Sequence, residues 1–280
     1  MSWFEAAVLG LLQGLTEFLP VSSSAHLRVF SALAGWGDPG SAFTAVTQLG
    51  TESAVLIYFR RDIASIVTAW TTSLFVPERR KDPNARMGWF VIVGTLPIGV
   101  LGAVFQNTIE TSLRDLRIIG ATLILFGLIL AVADYSRARR YAKQVSELTL
   151  PHALVYGAAQ SLALIPGVSR SGGTISAGLL LGYSREAAAR YSFLLAIPAV
   201  LASGILELFK IGEGPTPAWG PTLLATGIAF VVGYAAIAWF LKYISSHSFI
   251  PFVAYRVFLG AVIIALVAFG VLAPGAGAIK

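Results

Sequence analysis

The chain has 280 residues, of which 56% are hydrophobic and 12% are charged, and its mean hydropathy is +0.76. Soluble domains carry about 25% charged residues, so this composition excludes an ordinary soluble protein and indicates a polytopic membrane protein; the absence of cysteine excludes disulfides and thiolate metal sites. The formal net charge of +6 does not indicate a nucleic-acid partner, because the basic residues lie in short loops between apolar runs.

Six apolar runs are long enough to cross a hydrocarbon core about 30 Å thick, which takes about 20 helical residues. They are predicted at Ser41–Phe59, Gly88–Phe105, Ile118–Ala133, Ala187–Phe209, Thr222–Leu241 and Phe252–Leu272. Ile63–Val76 is shorter and contains several Ser and Thr residues, so we expect a helix on the membrane surface or within the bundle. No polar linker divides the chain, which predicts one integral membrane domain over residues 1–280. We expect no removable signal peptide.

Basic loops predict the orientation of these spans. The positive-inside rule places in the cytoplasm Arg60-Arg61, Arg79–Arg86, Arg137–Lys143, Arg185 and Lys242. The loops expected on the outer side, together with both termini, are Gly35–Gly40, Gln106–Arg117 and Gly212–Pro221.

Two polar blocks interrupt the apolar sequence, at Gln13–His26 and Gln160–Thr174. Polar residues inside apolar segments of a membrane protein are costly and usually functional. A broken helix at membrane depth requires burial in protein or a water-filled cavity. The surrounding stretch Trp3–Ala34 should begin and end outside, and Leu150–Gly182 should begin and end inside. We therefore predict two re-entrant helix–turn–helix segments whose tips meet near the middle of the membrane.

The two halves of the chain also resemble each other outside these blocks, since Gly94–Gly102 resembles Leu195–Gly204. Similar halves that enter from opposite faces form an inverted-topology repeat, with the site at the interface of the repeats. The predicted fold is an all-α polytopic membrane protein with about six full transmembrane helices. The two repeats are predicted at about residues 1–143 and 144–280.

The second block predicts a phosphate-binding turn. Its polar side chains are Ser169, Arg170, Ser171 and Thr174, with glycines on both sides. A glycine-containing turn at a helix N-terminus presents backbone N–H groups to an anion. The Arg170 guanidinium adds donors matched to phosphate oxygens. The alternative is a helix cap whose arginine extends to the membrane surface.

The first block combines oxygen ligands with hydroxyls and an imidazole. Gln13 and Glu17 are four residues apart and share one helix face. Their oxygens suit Mg²⁺ or Ca²⁺. His26 lies three residues after Ser23, a spacing that brings an imidazole towards a hydroxyl, as in a base–nucleophile pair. His26 could equally activate water or attack phosphorus itself; the alternatives are a structural hydrogen bond for His26 and helix capping for Ser22–Ser24.

Other polar residues carry weaker predictions. Glu52 lies inside a predicted span and must be paired or close to water. Gln160 mirrors Gln13, and either lines the site or forms a hydrogen bond between packed helices. Arg190 and Arg256 lie near the ends of spans, where we expect their side chains to extend to the surface.

Two motifs carry a family resemblance. They are Gln-Gly-Leu-Thr-Glu followed by Leu-Pro-Val-Ser-Ser-Ser-Ala-His, and Pro-Gly-Val-Ser-Arg-Ser-Gly-Gly-Thr far downstream. In this order they resemble the undecaprenyl-diphosphate phosphatase family, also called the bacitracin-resistance proteins. The resemblance extends over the whole chain in length, hydropathy and motif order.

The resemblance implies hydrolysis of undecaprenyl diphosphate to the monophosphate, which recycles the lipid carrier of peptidoglycan synthesis. It also implies a divalent cation, Mg²⁺ or Ca²⁺, and an active site on the periplasmic side of the bacterial inner membrane. The C55 tail of the substrate would lie between helices in the lipid. Whether the chain forms a homodimer is left open.

Site residues follow from the resemblance by position. The catalytic residues it implies are Glu17, Ser23, His26 and Arg170. The diphosphate-binding residues it implies are Ser22, Ser169, Arg170, Ser171 and Thr174. The cation ligands it implies are Glu17 and Gln13, although Gln13 replaces the Glu of many members and so removes one negative ligand.

The competing function is a transporter that flips polyprenyl phosphate without hydrolysis, since inverted repeats with broken helices are a transporter architecture. A base beside a hydroxyl and an arginine-bearing turn favours chemistry over transport. The nucleophile is left open between Ser23, His26 and water.

Overall fold

The structure, a computed structural model, describes residues 1–37, 40–105, 115–137, 142–209 and 217–276. Within these ranges the chain forms α-helices and no β-strand, which confirms the all-α prediction. The helices are α1 (Trp3–Thr16), α2 (Ser23–Leu33), α3 (Gly40–Tyr58), α4 (Arg60–Phe75), α5 (Pro83–Val104), α6 (Leu116–Arg137), α7 (Leu150–Ser161), α8 (Arg170–Leu180), α9 (Arg185–Phe209), α10 (Trp219–Ile244) and α11 (Ile250–Ala268). The predicted loops Gly35–Gly40, Gln106–Arg117, Arg137–Lys143 and Gly212–Pro221 lie partly outside the described residues.

Five of the described helices, α5, α6, α9, α10 and α11, are long and apolar enough to cross a membrane. They confirm five of the six predicted spans, and α6 extends beyond both ends of the predicted Ile118–Ala133. The remaining prediction, Ser41–Phe59, corresponds to α3, which has 19 residues but is not among the five. Polar residues such as Gln48 and Glu52 lower its hydropathy, and they are tolerated because α3 packs against α9 and α10. The short predicted helix Ile63–Val76 is α4, which packs against α5.

The first helix of each half packs against the other half. The helix α1 lies along α10, whereas α7 lies along α5. Further contacts between the halves include those of α3 with α9 and of α6 with α11. The backbones of α6 and α11 approach closely at two glycines, because a Cβ at Gly260 would lie 2.6 Å from the carbonyl oxygen of Gly120. This reciprocal packing agrees with an inverted repeat, while the repeat boundaries and the membrane orientation stay predictions.

Each polar block forms a helix–turn–helix. The turn between α1 and α2 ends at Ser22, and the turn between α7 and α8 ends at Ser169. Both serines have left-handed backbone conformations, with φ of 73° at Ser22 and 70° at Ser169. Such a conformation costs a non-glycine residue about 1–3 kcal/mol and persists only where the surroundings impose it. The same strain at the start of two helices of 11 residues marks the two turns as equivalent and as sites of interest.

Candidate functional site

Arg256 of α11 holds the two turns together. Its side chain is fully buried and donates from Nη1 to the carbonyl oxygen of Pro20 at 3.0 Å. Its Nη2 donates to the carbonyl oxygens of Gly167 and Val168, both at 2.9 Å. The prediction that Arg256 extends to the membrane surface is therefore wrong. The broken helices leave carbonyls without helical partners, and the guanidinium supplies enough donors to satisfy them.

An ion pair crosses between the two turns. Arg170 Nη2 lies 2.7 Å from Glu17 Oε1, and the side chains are 15% and 6% exposed. Beside this pair, the Ser171 hydroxyl donates to the carbonyl oxygen of Leu19 at 3.0 Å. Arg170 thus points inwards to the first block, and the alternative in which it extends to the surface does not hold. These two contacts confirm the prediction that the two polar blocks meet.

Glu17 receives further donors on its other oxygen. Gln13 Nε2 donates to Glu17 Oε2 at 3.0 Å, and the Ser23 hydroxyl donates to the same atom at 2.7 Å. A hydroxyl that donates to a carboxylate has an acceptor ready for its proton, which is the arrangement of an activated nucleophile. Glu17 is therefore the partner of Ser23 and connects it to Arg170.

His26 does not form the pair with Ser23 that its spacing predicts. Its Nδ1 lies 2.7 Å from the carbonyl oxygen of Ser22, and its Nε2 lies 2.6 Å from the hydroxyl of Tyr255. Because a carbonyl only accepts, Nδ1 must carry a proton. The Tyr255 ring stacks on the imidazole, with 5.5 Å between ring centroids. The carbonyl four residues before His26 turns the ring away from Ser23, so the structural hydrogen bond considered for His26 is present.

The second turn is organised by its own hydroxyls. Ser169 Oγ accepts from the backbone N–H of Gly172 at 3.1 Å, which caps α8, and lies 3.2 Å from Ser171 Oγ. Thr174 is fully buried, donates to the carbonyl oxygen of Arg170 and contacts Ser192 of α9. In the first turn, Ser22 Oγ lies 3.2 Å from Ser24 Oγ, and no side-chain cap forms there. Ser169 and Ser171 lie at the start of α8, whereas Thr174 lies one turn further along and connects α8 to α9 through Ser192.

Sequence reasoning missed Tyr255 and misplaced Arg256, which are neighbours in a predicted span. A tyrosine next to an arginine near the end of a span is typical of a membrane interface, so the sequence carries no signal that separates the two cases. Arg190 does extend to the surface as predicted, since its side chain is 45% exposed, and there it pairs with Asp62. Gln160 is fully buried, and neither of its side-chain polar atoms has a hydrogen-bond partner among the described residues. Gln160 differs from Gln13 in its neighbour on the same helix face, because the residue four positions later is Leu164, whereas Gln13 is followed at that spacing by Glu17.

The site offers oxygen atoms of the kind that a hard cation prefers. Mg²⁺ commonly binds through one or two carboxylates, with the remaining positions filled by water and substrate phosphates. The described residues contain no group of three or more His, Asp or Glu side chains that would form a complete protein cage. They do contain one buried carboxylate oxygen without a hydrogen-bond partner among them, Glu52 Oε1. The Gln13 amide directs its N–H to Glu17, so its own oxygen faces elsewhere.

Nearly the whole chain matches a family of known proteins. Residues 6–262 match the family model described as bacitracin resistance protein BacA. The chain is 65% identical to undecaprenyl-diphosphatase 2 of Frankia casuarinae, 61% identical to undecaprenyl-diphosphatase 2 of Streptomyces avermitilis and 56% identical to undecaprenyl-diphosphatase of Thermobifida fusca. Each match covers 99% of this chain, and it covers 99%, 98% and 94% of the respective relative.

Proposed function

Because the chain belongs to the bacitracin resistance protein family, with relatives at 56–65% identity named undecaprenyl-diphosphatases, we propose that it hydrolyses undecaprenyl diphosphate to undecaprenyl phosphate and inorganic phosphate. The observation that supports this most directly is Glu17, which accepts from Ser23 on one oxygen and from Arg170 on the other. The proposed nucleophile Ser23, its proton acceptor Glu17 and the phosphate-binding guanidinium of Arg170 thus meet between the two turns.

The diphosphate binds at the start of α8 in this proposal. The N-terminus of a helix favours an anion, and the Arg170 guanidinium can bind two phosphate oxygens at once. A phosphate that takes donors from Arg170 competes with Glu17 for them. Glu17 then has less of its charge neutralised and becomes a better acceptor for the Ser23 proton. Binding of the substrate in this way prepares the nucleophile.

Ser23 is the nucleophile that the geometry favours. Its Oγ forms a bond to the terminal phosphorus, its proton passes to Glu17, and the bond from that phosphorus to the bridging oxygen breaks to release undecaprenyl phosphate. Water then attacks the phosphoserine, the bond from phosphorus to Oγ breaks, and Oγ takes back the proton held by Glu17 while the inorganic phosphate leaves with both protons of the water. Arg170 stabilises the negative charge on the phosphoryl oxygens in both steps. Both ring nitrogens of His26 already have partners, so its role is to hold the Ser22 turn.

A divalent cation, Mg²⁺ or Ca²⁺, completes the proposal. Glu17 would hold it, and Gln13 would join it through its amide oxygen only after that amide turns from the orientation described above; a cation bound there would neutralise phosphoryl oxygens of the substrate.

The protein is a membrane protein, and its location in the inner membrane with the site open to the periplasmic side is part of the proposal. The support for this orientation is the charge of the loops, because the positive-inside rule places Arg60-Arg61, Arg79–Lys81 and Lys242 in the cytoplasm. The lipid tail would lie between helices that expose apolar side chains such as Leu128 and Val231. In this orientation the product is released on the outer side.

The test is phosphate release from undecaprenyl diphosphate by the protein purified in detergent, with Mg²⁺, with Ca²⁺ and with EDTA. We expect cation-dependent release that is lost in Arg170→Ala. The matched control is Arg117→Ala, which removes an arginine paired with Asp115 at an exposed position. No release from folded wild-type protein with either cation would contradict hydrolysis. Transfer of undecaprenyl phosphate across liposomes would then be measured in its place.

A further inference from the structure

Glu52 of α3 is a buried carboxyl group that the site described above does not use. Its residue is 2% exposed, and its Oε1 has no hydrogen-bond partner among the described residues. An ionisable group buried in a membrane protein without a partner is costly, and such groups usually mark a functional site. Because burial of a carboxyl group without a hydrogen bond is unfavourable, we expect Glu52 to have a function at this position.

The position of Glu52 relates it to the Glu17–Arg170 pair. Thr51 and Ala54, on either side of Glu52, and Phe18, which follows Glu17, all come within 4 Å of a Cβ placed at Gly233 of α10. The next residues of α3 that face inwards, Ala54 and Val55, belong to the same buried cluster as Phe18, which follows Glu17 in the chain. The segment of α3 that carries Glu52 therefore passes beside the end of α1, where Glu17 lies.

A divalent cation at this site would need more negative charge than the other residues of the site supply. Glu17 is shared among three donors, one of which is Arg170, and Gln13 adds a neutral amide. A dication held by Glu17 alone would face a carboxylate that Arg170 already neutralises. A second carboxylate close by would balance the second charge of the cation, and the cation in turn would stabilise a carboxylate that has no hydrogen bond.

We propose that Glu52 is the second carboxylate of the catalytic centre and binds the divalent cation together with Glu17. The oxygens of the substrate's diphosphate complete the coordination of that cation. This inference rests on the proposed phosphatase function for the identity of the substrate, whereas the cation-binding part is independent of it. Gln13 contacts Glu17 as a neutral amide, so Glu52 would supply the second negative charge near Glu17.

The experiment moves the carboxylate between the two positions. Mn²⁺ binding to the purified full chain is measured by electron paramagnetic resonance of free Mn²⁺, and the cation concentration for half-maximal phosphate release is measured in parallel. In Glu52→Gln we expect the dissociation constant for Mn²⁺ and the cation concentration for half-maximal phosphate release each to rise about tenfold or more. Adding Gln13→Glu to that variant restores a carboxylate next to Glu17, and we expect recovery of most of the loss. Glu186→Gln, at an exposed position in the first turn of α9, is the matched control.

The outcomes separate this inference from the proposed function. Wild-type Mn²⁺ affinity in folded Glu52→Gln overturns the role of Glu52, whatever the phosphatase activity. Wild-type protein that binds Mn²⁺ through Glu52 but releases no phosphate contradicts the phosphatase and leaves the cation site standing. Glu52→Ala is a second variant in case Glu52→Gln does not fold, and retention of Mn²⁺ affinity there overturns the inference in the same way.

Discussion

Glu17 and Arg170 are 153 residues apart in the chain and form an ion pair of 2.7 Å between the two helix–turn–helix segments. In the described part of the chain, the ion pair recorded for each of these two buried charges is with the other. The pair explains how two half-sites become one centre. It also couples folding of the two halves to assembly of the site.

The ion pair predicts a double-mutant result. Removing one partner of a buried pair leaves the other charge uncompensated, which typically destabilises a protein by about 3–5 kcal/mol. We expect Glu17→Gln and Arg170→Met each to lower the apparent Tm, and the double variant to be more stable than the sum of the single effects predicts. Thermal unfolding in detergent, followed by circular dichroism, measures this. Purely additive effects would show that the two charges do not interact in solution.

Ser23 and Ser24 provide a matched pair for the nucleophile. Ser23 donates to Glu17, whereas Ser24 is exposed and its hydroxyl lies 3.2 Å from that of Ser22. Loss of a nucleophile removes the covalent route, so Ser23→Ala should reduce kcat by about a thousandfold or more, with KM little changed. Ser24→Ala should retain activity within about threefold. Phosphate release in steady state measures both, and an active Ser23→Ala variant would assign the attack to water.

The contact of His26 with Tyr255 predicts a smaller effect through positioning. Tyr255→Phe removes the hydroxyl at Nε2 but keeps the stacked ring. We expect kcat to fall about tenfold, because the loss of one oriented hydrogen bond is worth about 1.4 kcal/mol. In a His26→Ala background the same substitution should have no further effect. A further tenfold loss in that background would mean that Tyr255 contacts the substrate directly. Tyr234→Phe, at an exposed position of α10, is the control.

Arg256 is expected to act on both stability and activity. Its guanidinium binds carbonyls of both turns at once, which a lysine ammonium cannot do in the same geometry. Arg256→Lys should therefore lower the apparent Tm and also raise KM for undecaprenyl diphosphate, since the turns proposed to bind the diphosphate lose their common support. Thermal unfolding and steady-state kinetics measure the two effects. Full activity with a lowered Tm would limit Arg256 to a purely structural role, and Arg117→Lys serves as the exposed control.

The sequence by itself determined the class of the protein and where its candidate site is predicted. Composition and apolar runs identified a polytopic membrane protein and five of its spans, because hydropathy is a sum over neighbouring residues. The two motifs located Glu17 and Arg170, since an acidic and a basic side chain in broken apolar helices have few explanations other than function. Only α3 departed from this reading, because burial against other helices allows a spanning-length helix to carry polar residues.

The tertiary structure alone decided which side chains work together. Spacing predicted His26 as the partner of Ser23, but Glu17 takes that place and His26 turns to Tyr255, which is 229 residues away in the chain. Arg256 looked like an ordinary arginine near a membrane surface until α11 packed its side chain between the two turns. Spacing within one helix describes only the contacts of that helix. Partners on distant helices depend on how the helices pack, and no local pattern records that.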